Sequence, residues 1–530
     1  MLETAHSDLV RMSHEVSPLE TVGEVKFSDF LDTVREIGER RRNAESLILK
    51  VMKTLDEAWS HYPRMAFVNA LPPEILSLIF KFVVLSEFTD FSVSGREAKE
   101  KSGSKLTRPE YPATLSKVCN LWHRVVTSTP ILWSYINLVV SGSKRDVFYL
   151  RASRSIKLAA GVPLSIRIHQ HVGRPKPYTI RYLTRWLAPI AERIYSLEVA
   201  KNSSRALLNS VLCCWFKHGV PGTVKELSLW CLRNNSRKFI QPASSGPRPW
   251  RINVSPTKFE AFFQPITTLY LDGVFARWNS QAYRGLTHLQ LSDGSIKEDQ
   301  LMSILSNNPQ LRSFTYNLWM KHNKPRKTPP NPVQLPNLET LNLSSLENSD
   351  LWSILRLLAP GPKPLTLSLA TGVTDSSYDY VETPEAQAFF QRSNITTCHL
   401  GTYGEPRETW FPKILRGLPN LRRLCLRGHP YLDIECLTTS DEMRVCSQLS
   451  ELIMIGYKLD LDEFKDLLSA HHIQVLRLWN CSVFRQGNGL DMSAGELEEE
   501  LSEFVANTRY YSRNDDVSLD PHMSRIPTTV

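Results

Sequence analysis

Eleven times between residues 194 and 478 the chain spells apolar-x-x-apolar-x-apolar, in copies that begin at Ile194, Val224, Ile266, Leu286, Leu311, Leu338, Pro364, Ile395, Leu421, Leu449 and Ile473. Successive copies are spaced by about 28 residues, too regular for unrelated strands and the length of one strand-plus-helix unit. Within a copy the last two apolar positions alternate, which predicts a short strand with one face in a core. Between copies lie short helical patterns: Asp299–Leu305, Asp350–Leu358 and Asp462–Leu468 each start on an acid, and breakers such as Asn307-Asn308-Pro309 and Ala359-Pro360-Gly361 follow the first two. Acids at the start and breakers at the end are helix boundaries. Strand then helix, repeated, predicts an α/β chain: a solenoid with one parallel curved sheet and its helices outside. Leu197, Leu227, Leu269, Leu289, Leu341, Leu424 and Leu476 are then core residues, because alternate strand positions point inward.

The same parity assigns the other strand positions to the concave face. Trp230, Tyr270, Asn342, His399, Arg423, Arg427, Arg477 and Trp479 fall there and are the expected contacts of a protein substrate. Large aromatics and arginines are the types that anchor protein interfaces, and the basic members would favour an acidic or phosphorylated segment. The alternative is that Glu498-Glu499-Glu500 of the acidic C-terminal stretch docks on these arginines. The units resemble leucine-rich repeats in irregular form. Three positions after the last strand leucine Cys481 fits that pattern, whereas Leu232, Val274 and Leu346 depart from it. Two loops, 234–251 and 321–336, exceed what a repeat needs and are either binding loops or tolerated insertions.

Upstream, residues 71–80 read Leu-Pro-Pro-Glu-Ile-Leu-Ser-Leu-Ile-Phe, and residues 118–133 combine Val-Cys-x-x-Trp with Ser-Thr-Pro-x-Leu-Trp. The prolines fix a helix entry, Glu74 lies in its first turn, and Ile75, Leu76, Ile79 and Phe80 form an apolar face. This pair of segments resembles the F-box in the form found in many fungal proteins. The resemblance implies a small all-α module that binds a Skp-family adaptor and, through it, a cullin scaffold. Leu71, Pro72, Ile75, Leu76, Ile79, Phe80, Val118, Cys119, Trp122, Leu132 and Trp133 are the adaptor contacts it implies, some of them shared with the module's own core. The function implied is that of a substrate-recognition subunit of an SCF-type ubiquitin ligase, itself non-catalytic. A non-degradative interaction scaffold is the alternative.

Composition bounds the rest. With 42% hydrophobic and 22% charged residues the 530-residue chain is globular and long enough for several domains. The nine cysteines form no CxxC pair or zinc spacing and read as reduced thiols of a cytoplasmic or nuclear protein. Phosphate-loop, dinucleotide, zinc-protease and serine-hydrolase motifs do not occur, so no cofactor or metal is expected; a catalytic set assembled from distant residues would leave no such motif. His169 and His171 share a strand face without a carboxylate or cysteine to complete a metal site. Residues 491–530 hold nine acids against three arginines, a net −6 that leaves +15 on residues 1–490. Neither membrane nor nucleic acid is expected as a partner, the basic balance notwithstanding. The expected organisation is a tail at 1–27, an amphipathic helix at 28–62, an F-box at 67–135 with a flexible insertion at 86–112, repeats at 136–485 and a flexible acidic tail at 486–530. The helix at 28–62 would pack on the F-box or form a short coiled coil.

Overall fold

The computed structural model describes residues 50, 67–93, 111–140, 145–170, 175–200, 203–231, 239–242, 251–252, 254–321, 331–344, 346, 348–371, 384–402, 415, 417–428, 448–485 and 492–511. The chain divides into two compact units, one of residues 1–80 with 112–128 and one of residues 81–111 with 129–530. The expected tail at 1–27 and helix at 28–62 lie outside the described residues, Lys50 apart, as do both long loops over most of their length.

The first unit is helical. Helix α1 (Pro73–Val93) starts at the double proline, and α2 (Tyr111–Leu115) and α3 (Asn120–Thr127) follow. Within the unit Leu76, Phe80, Leu115, Val125 and Val126 are buried. The flexible insertion expected at 86–112 is helical at its start, where α1 runs on to Val93, and again from Tyr111, while residues 94–110 lie outside the described residues. Nothing between Leu85 and Val93 stops a helix, and the first breaker is Gly95.

The second unit is a leucine-rich-repeat-like solenoid. Among the described residues its main sheet has fourteen strands, all parallel and in chain order: β1 (Tyr135–Val139), β2 (Leu164–His169), β3 (Ile194–Val199), β4 (Glu226–Trp230), β5 (Thr268–Asp272), β6 (His288–Lys297), β7 (Ser313–Lys321), β8 (Thr340–Leu343), β9 (Leu365–Thr371), β10 (Ile395–Thr402), β11 (Arg423–Arg427), β12 (Glu451–Ile455), β13 (Val475–Trp479) and β14 (Asn507–Tyr511). Strands β3 to β13 are the eleven sequence copies. Register locks equivalent positions together, as in Leu227 with Leu269, Leu269 with Leu289, Leu341 with Leu367, and Leu424 with Leu452. The seven expected core leucines, 197, 227, 269, 289, 341, 424 and 476, are all buried.

The described helices fill the returns: α4 (Arg145–Leu158), α5 (Pro177–Leu187), α6 (Arg205–His218), α7 (Pro256–Phe263), α8 (Glu298–Ser306), α9 (Asn348–Leu355), α10 (Pro384–Gln391), α11 (Leu461–Ala470) and α12 (Ala494–Leu501). Several begin on a side chain that caps their free N–H groups: Ser204 accepts from Leu207 N, Ser255 from Lys258 N, and Asp460 from Asp462 N at 3.0 Å. Under β3 to β5 the core is aromatic, with Trp215, Phe216, Phe259, Phe262 and Phe263 in mutual ring contact.

Three strands lie outside the sequence copies. Trp133-x-x-Ile136-x-Leu138 obeys the same spacing, Val505-x-x-Thr508-x-Tyr510 keeps it with a threonine at the middle position, and Pro163-x-x-Ile166-x-Ile168 matches the irregular copy at Pro364. The repeats therefore run past the expected boundary at 485. The acidic stretch supplies α12 and β14, with Leu497, Leu501 and Val505 buried, so 492–511 is the last repeat and not a free tail. Ser493 opens α12, its hydroxyl accepting from Glu496 N while the Glu496 carboxylate accepts from Ser493 N at 2.8 Å. Ser493→Ala is expected to cost about 1 kcal/mol, read as a lower urea midpoint; a free tail would show no change.

Candidate functional site

In the helical unit the two halves of the upstream motif meet. The Phe80 and Trp122 rings are 4.7 Å apart, and Trp122 Nε1 donates to Asn69 Oδ1 at 2.9 Å. Of the expected adaptor contacts, Leu76 and Phe80 are core, while Leu71, Cys119 and Trp122 are half-buried. Pro72, Ile75, Ile79 and Val118 are exposed, as is Leu78 beside them on α1, which the sequence reading left out. Leu132 and Trp133 belong to the other unit. Both are buried there, with the Arg154 guanidinium 5.7 Å over the Trp133 ring. They open the first repeat, and the apolar-x-x-apolar-x-apolar spacing from Trp133 was the signal for it.

On the sheet, the helix-free face carries rows of side chains in register. Four of the expected substrate contacts, Tyr270, Asn342, His399 and Arg477, lie in one row, which runs Arg167, Glu198, Ser228, Tyr270, Gln290, Thr315, Asn342, Ser368, His399, Cys425, Ile453, Arg477, Arg509. Arg423 lies in the row before it; Trp230, Arg427 and Trp479 lie beyond it. Three chemical zones follow along the sheet.

The first zone, on β2 to β5, is acidic, with Glu198, Glu226 and Asp272 against Arg167. Arg167 is buried and donates from Nε to Glu198 Oε2 at 2.7 Å; burial pulls its pKa down and the Glu198 charge opposes that. Burial, then the carboxylates of Glu226 and Glu198, raise the Tyr270 pKa, so its phenol stays protonated. The middle zone, on β7 to β10, is uncharged along this row, with Thr315, Asn342, Ser368 and His399, while Trp319 and Lys321 are exposed at the end of β7. Ser368 Oγ lies 3.1 Å from His399 Nδ1, and Asn342 Oδ1 accepts from the Ser344 hydroxyl at 2.8 Å. His399 is buried, which removes it from the accessible contacts.

The last zone, on β11 to β14, is basic: Arg423, Arg427, Arg477 and Arg509 against Glu451, a net +3. Glu451 sits between two of them, hydrogen-bonded through Oε2 to Arg423 Nε and with Oε1 at 3.0 Å from Arg477 Nη1 as an ion pair rather than an aligned hydrogen bond. Cys425, Ile453 and Trp479 are buried among Ile455 and Tyr511, and Trp479 stacks on Tyr511 at 4.0 Å and 9°. Trp479 is on the expected face, yet it is packing, not accessible surface. The expected docking of Glu498-Glu499-Glu500 on the arginines is not what the structure shows. Glu500 pairs with Lys465 at 2.5 Å and with Arg485, while Glu498 and Glu499 are exposed. The bond from Lys465 holds the Glu500 carboxyl below its usual range.

His169, the last residue of β2, has its Nε2 sealed from solvent although the residue as a whole is only half-buried. Burial lowers its pKa to about 3, and the Arg167 charge adds to the effect. The same cause, with His472 beside it, lowers His471. Each neutral imidazole is favoured in the fold and titrates near 6.5 once unfolded. Their stabilisation is therefore complete above that pH and is lost as pH falls toward the folded value. Between pH 7 and pH 5 His169 alone is expected to cost about 2 kcal/mol. His169→Gln should flatten the dependence of the urea midpoint over that interval, above the range where carboxylates protonate.

No family model and no curated protein sequence matches the chain. Among solved structures it is similar to an internalin of Listeria monocytogenes, at 13% identity and a TM-score of 0.27, over 63% of this chain and 94% of that one. The solenoid assignment rests on the strand order and register of the chain itself.

Proposed function

We propose that the chain is the substrate-recognition subunit of an SCF-type ubiquitin ligase, with no bond chemistry of its own. Its helical unit binds the Skp-family adaptor and thereby a cullin scaffold, and its sheet face captures a protein substrate. Proximity is the mechanism, since a bound substrate meets the ubiquitin-loaded enzyme at high effective concentration. The observation that carries the reading is the meeting of the two motif halves. Phe80 and Trp122 close the unit's core while Pro72, Ile75, Leu78, Ile79 and Val118 stay exposed. Apolar side chains left together in water on so small a unit are an interface composition. On the sheet, the basic zone around Arg423, Arg477 and Arg509 supports an acidic protein segment as the substrate feature read there.

Adaptor co-purification tests the first half. The wild-type chain is expected to carry the Skp-family adaptor through two affinity steps. Ile75→Asp with Ile79→Asp should abolish this while leaving the thermal midpoint of the repeat unit unchanged. Undiminished co-purification by the double variant would reject the assignment. Half-lives of proteins captured by a chain lacking residues 67–128, compared with and without the full chain, then separate a ligase subunit from a scaffold.

A further inference from the structure

Helices α4 and α5, in the first two returns of the solenoid, carry a surface that neither the core nor the sheet face uses. They lie side by side: Tyr149 meets Tyr182 edge-on with ring centroids 4.7 Å apart, and Trp186 Nε1 donates to Ser153 Oγ at 3.2 Å. Each helix turns an apolar stripe outward instead of only inward. Leu150 is 73% exposed, Tyr178 58% and Tyr182 50%. Cations follow the same stripes at three- and four-residue steps, Arg154 and Lys157 on α4, Arg181 and Arg185 on α5, all exposed. Over residues 145–158 and 176–187 there are seven Lys and Arg against Asp146 as the one acid. None of those four cations forms an ion pair among the described residues.

We propose that α4 and α5 together dock an acidic amphipathic helix of a partner protein. Its apolar stripe would lie on Leu150, Tyr178 and Tyr182, and its carboxylates would meet Arg154, Lys157, Arg181 and Arg185. Two adjacent helices leave a groove that a third fills with anchors at three- and four-residue spacing, the period of the exposed stripes here. Tyrosine, leucine and arginine at the centre of such a groove supply buried area, and the surrounding charges set partner sign and speed of encounter. Nucleic acid fits less well. Phosphates would satisfy the cations but leave Leu150 in water, and protein–nucleic acid interfaces are the more polar kind. A bilayer fits less well too, because cations interrupt the stripes that would have to enter it. The docking uses no residue of the helical unit or of the sheet face, so it stands independently of the adaptor reading.

Fluorescence anisotropy of the full chain with a labelled synthetic helix of about 18 residues tests it, with leucines on one face and glutamates on the other. Saturable binding is expected. Arg154→Glu with Arg185→Glu should weaken it about ten-fold or more, as should Leu150→Ser with Tyr182→Ser. A peptide with lysine for every glutamate should prefer the Arg154→Glu, Arg185→Glu chain to the wild type. Arg154 and Tyr182 also touch the buried rings of Trp133 and Tyr149, so their variants should lower the thermal midpoint somewhat. Lys157→Glu with Arg181→Glu, at exposed positions, should weaken binding as much with the midpoint unaltered. The proposal is overturned by absence of saturable binding, or by equal binding of the glutamate and lysine peptides to the wild-type chain. It is equally overturned if single-stranded RNA or phosphatidylserine vesicles displace the acidic helix. Concentration-dependent self-association abolished by Glu498→Lys with Glu499→Lys would make the occupant a second copy and likewise reject an outside partner.

Discussion

Asn308→Leu is expected to cost about 3–6 kcal/mol, although leucine is similar in size and the site is wholly buried. Asn308 follows α8, and its amide joins three backbone groups, of which Ile304 O also accepts from Asn307 N. Nδ2 donates to Tyr283 O and to Ile304 O at 2.7 Å each, and Oδ1 accepts from Leu286 N at 2.6 Å. One amide thus ends a helix, ties it to the preceding turn and launches β6. Leucine strands the Leu286 N–H, takes the Asn308 donor from Tyr283 O and leaves Ile304 O with one donor of two, and each such loss costs roughly 1–3 kcal/mol. Asn308→Asp should be as damaging, because a carboxylate would face two carbonyl oxygens. The control is next door. Asn307 donates to Ser303 O at 2.7 Å but is exposed, so Asn307→Ala leaves groups that water can reach and should cost under about 1 kcal/mol. Urea unfolding of the two variants measures the contrast, and similar midpoints would mean that Asn308 does not hold this turn.

The period made the solenoid legible, and the same period shows why parts of it were missed. A leucine every 28 residues or so is a burial pattern, and burial is what a sequence encodes most directly. The first and last copies were hidden by other readings of the same residues. Trp133 fits the end of the upstream motif, and Val505 sits in a stretch whose acids suggested a solvated tail. Terminal repeats are atypical because they face something other than a neighbour. The second of these misreadings propagated to the candidate site. Parity put Trp479 on the correct face, but its accessibility depends on Tyr511, a residue of the strand that the tail reading removed. Glu451 was missed for a different reason. It occupies the first strand position, where no periodicity distinguishes it, and only the register that sets it beside Arg423 and Arg477 gives it meaning. The acid at the start of the helix was readable at Asp462, two residues inside the Asp460 cap, and the capping that spans repeats at Asn308 was not.

Glu451→Ala is expected to move stability and substrate capture in opposite directions. Its carboxylate is largely shielded, with side-chain exposure of 11%, and lies between the guanidinium groups of Arg423 and Arg477, at 29% and 17%. Removing one partner of a buried pair costs about 3–5 kcal/mol, and partial access of water to the arginines reduces this to about 2–4. The loss arises because Arg423 and Arg477 both give up the carboxylate that they share. The same change raises the net charge of the open face on β11 to β14 from +3 to +4. An acidic segment read by that face should therefore bind more tightly, about three- to ten-fold at low salt, with the gain fading as salt screens it. Arg423→Gln and Arg477→Gln should weaken capture while costing less stability than Glu451→Ala, since each leaves one guanidinium still paired. Glu451→Gln keeps the shape and one acceptor, and should fall between wild type and alanine in urea while matching alanine in binding. If instead every variant that loosens the cluster also weakens capture in proportion, the arginines support the sheet and do not read the ligand. Charge would then lie behind the packing of this face and not its recognition, and the substrate would have to be sought on the loops.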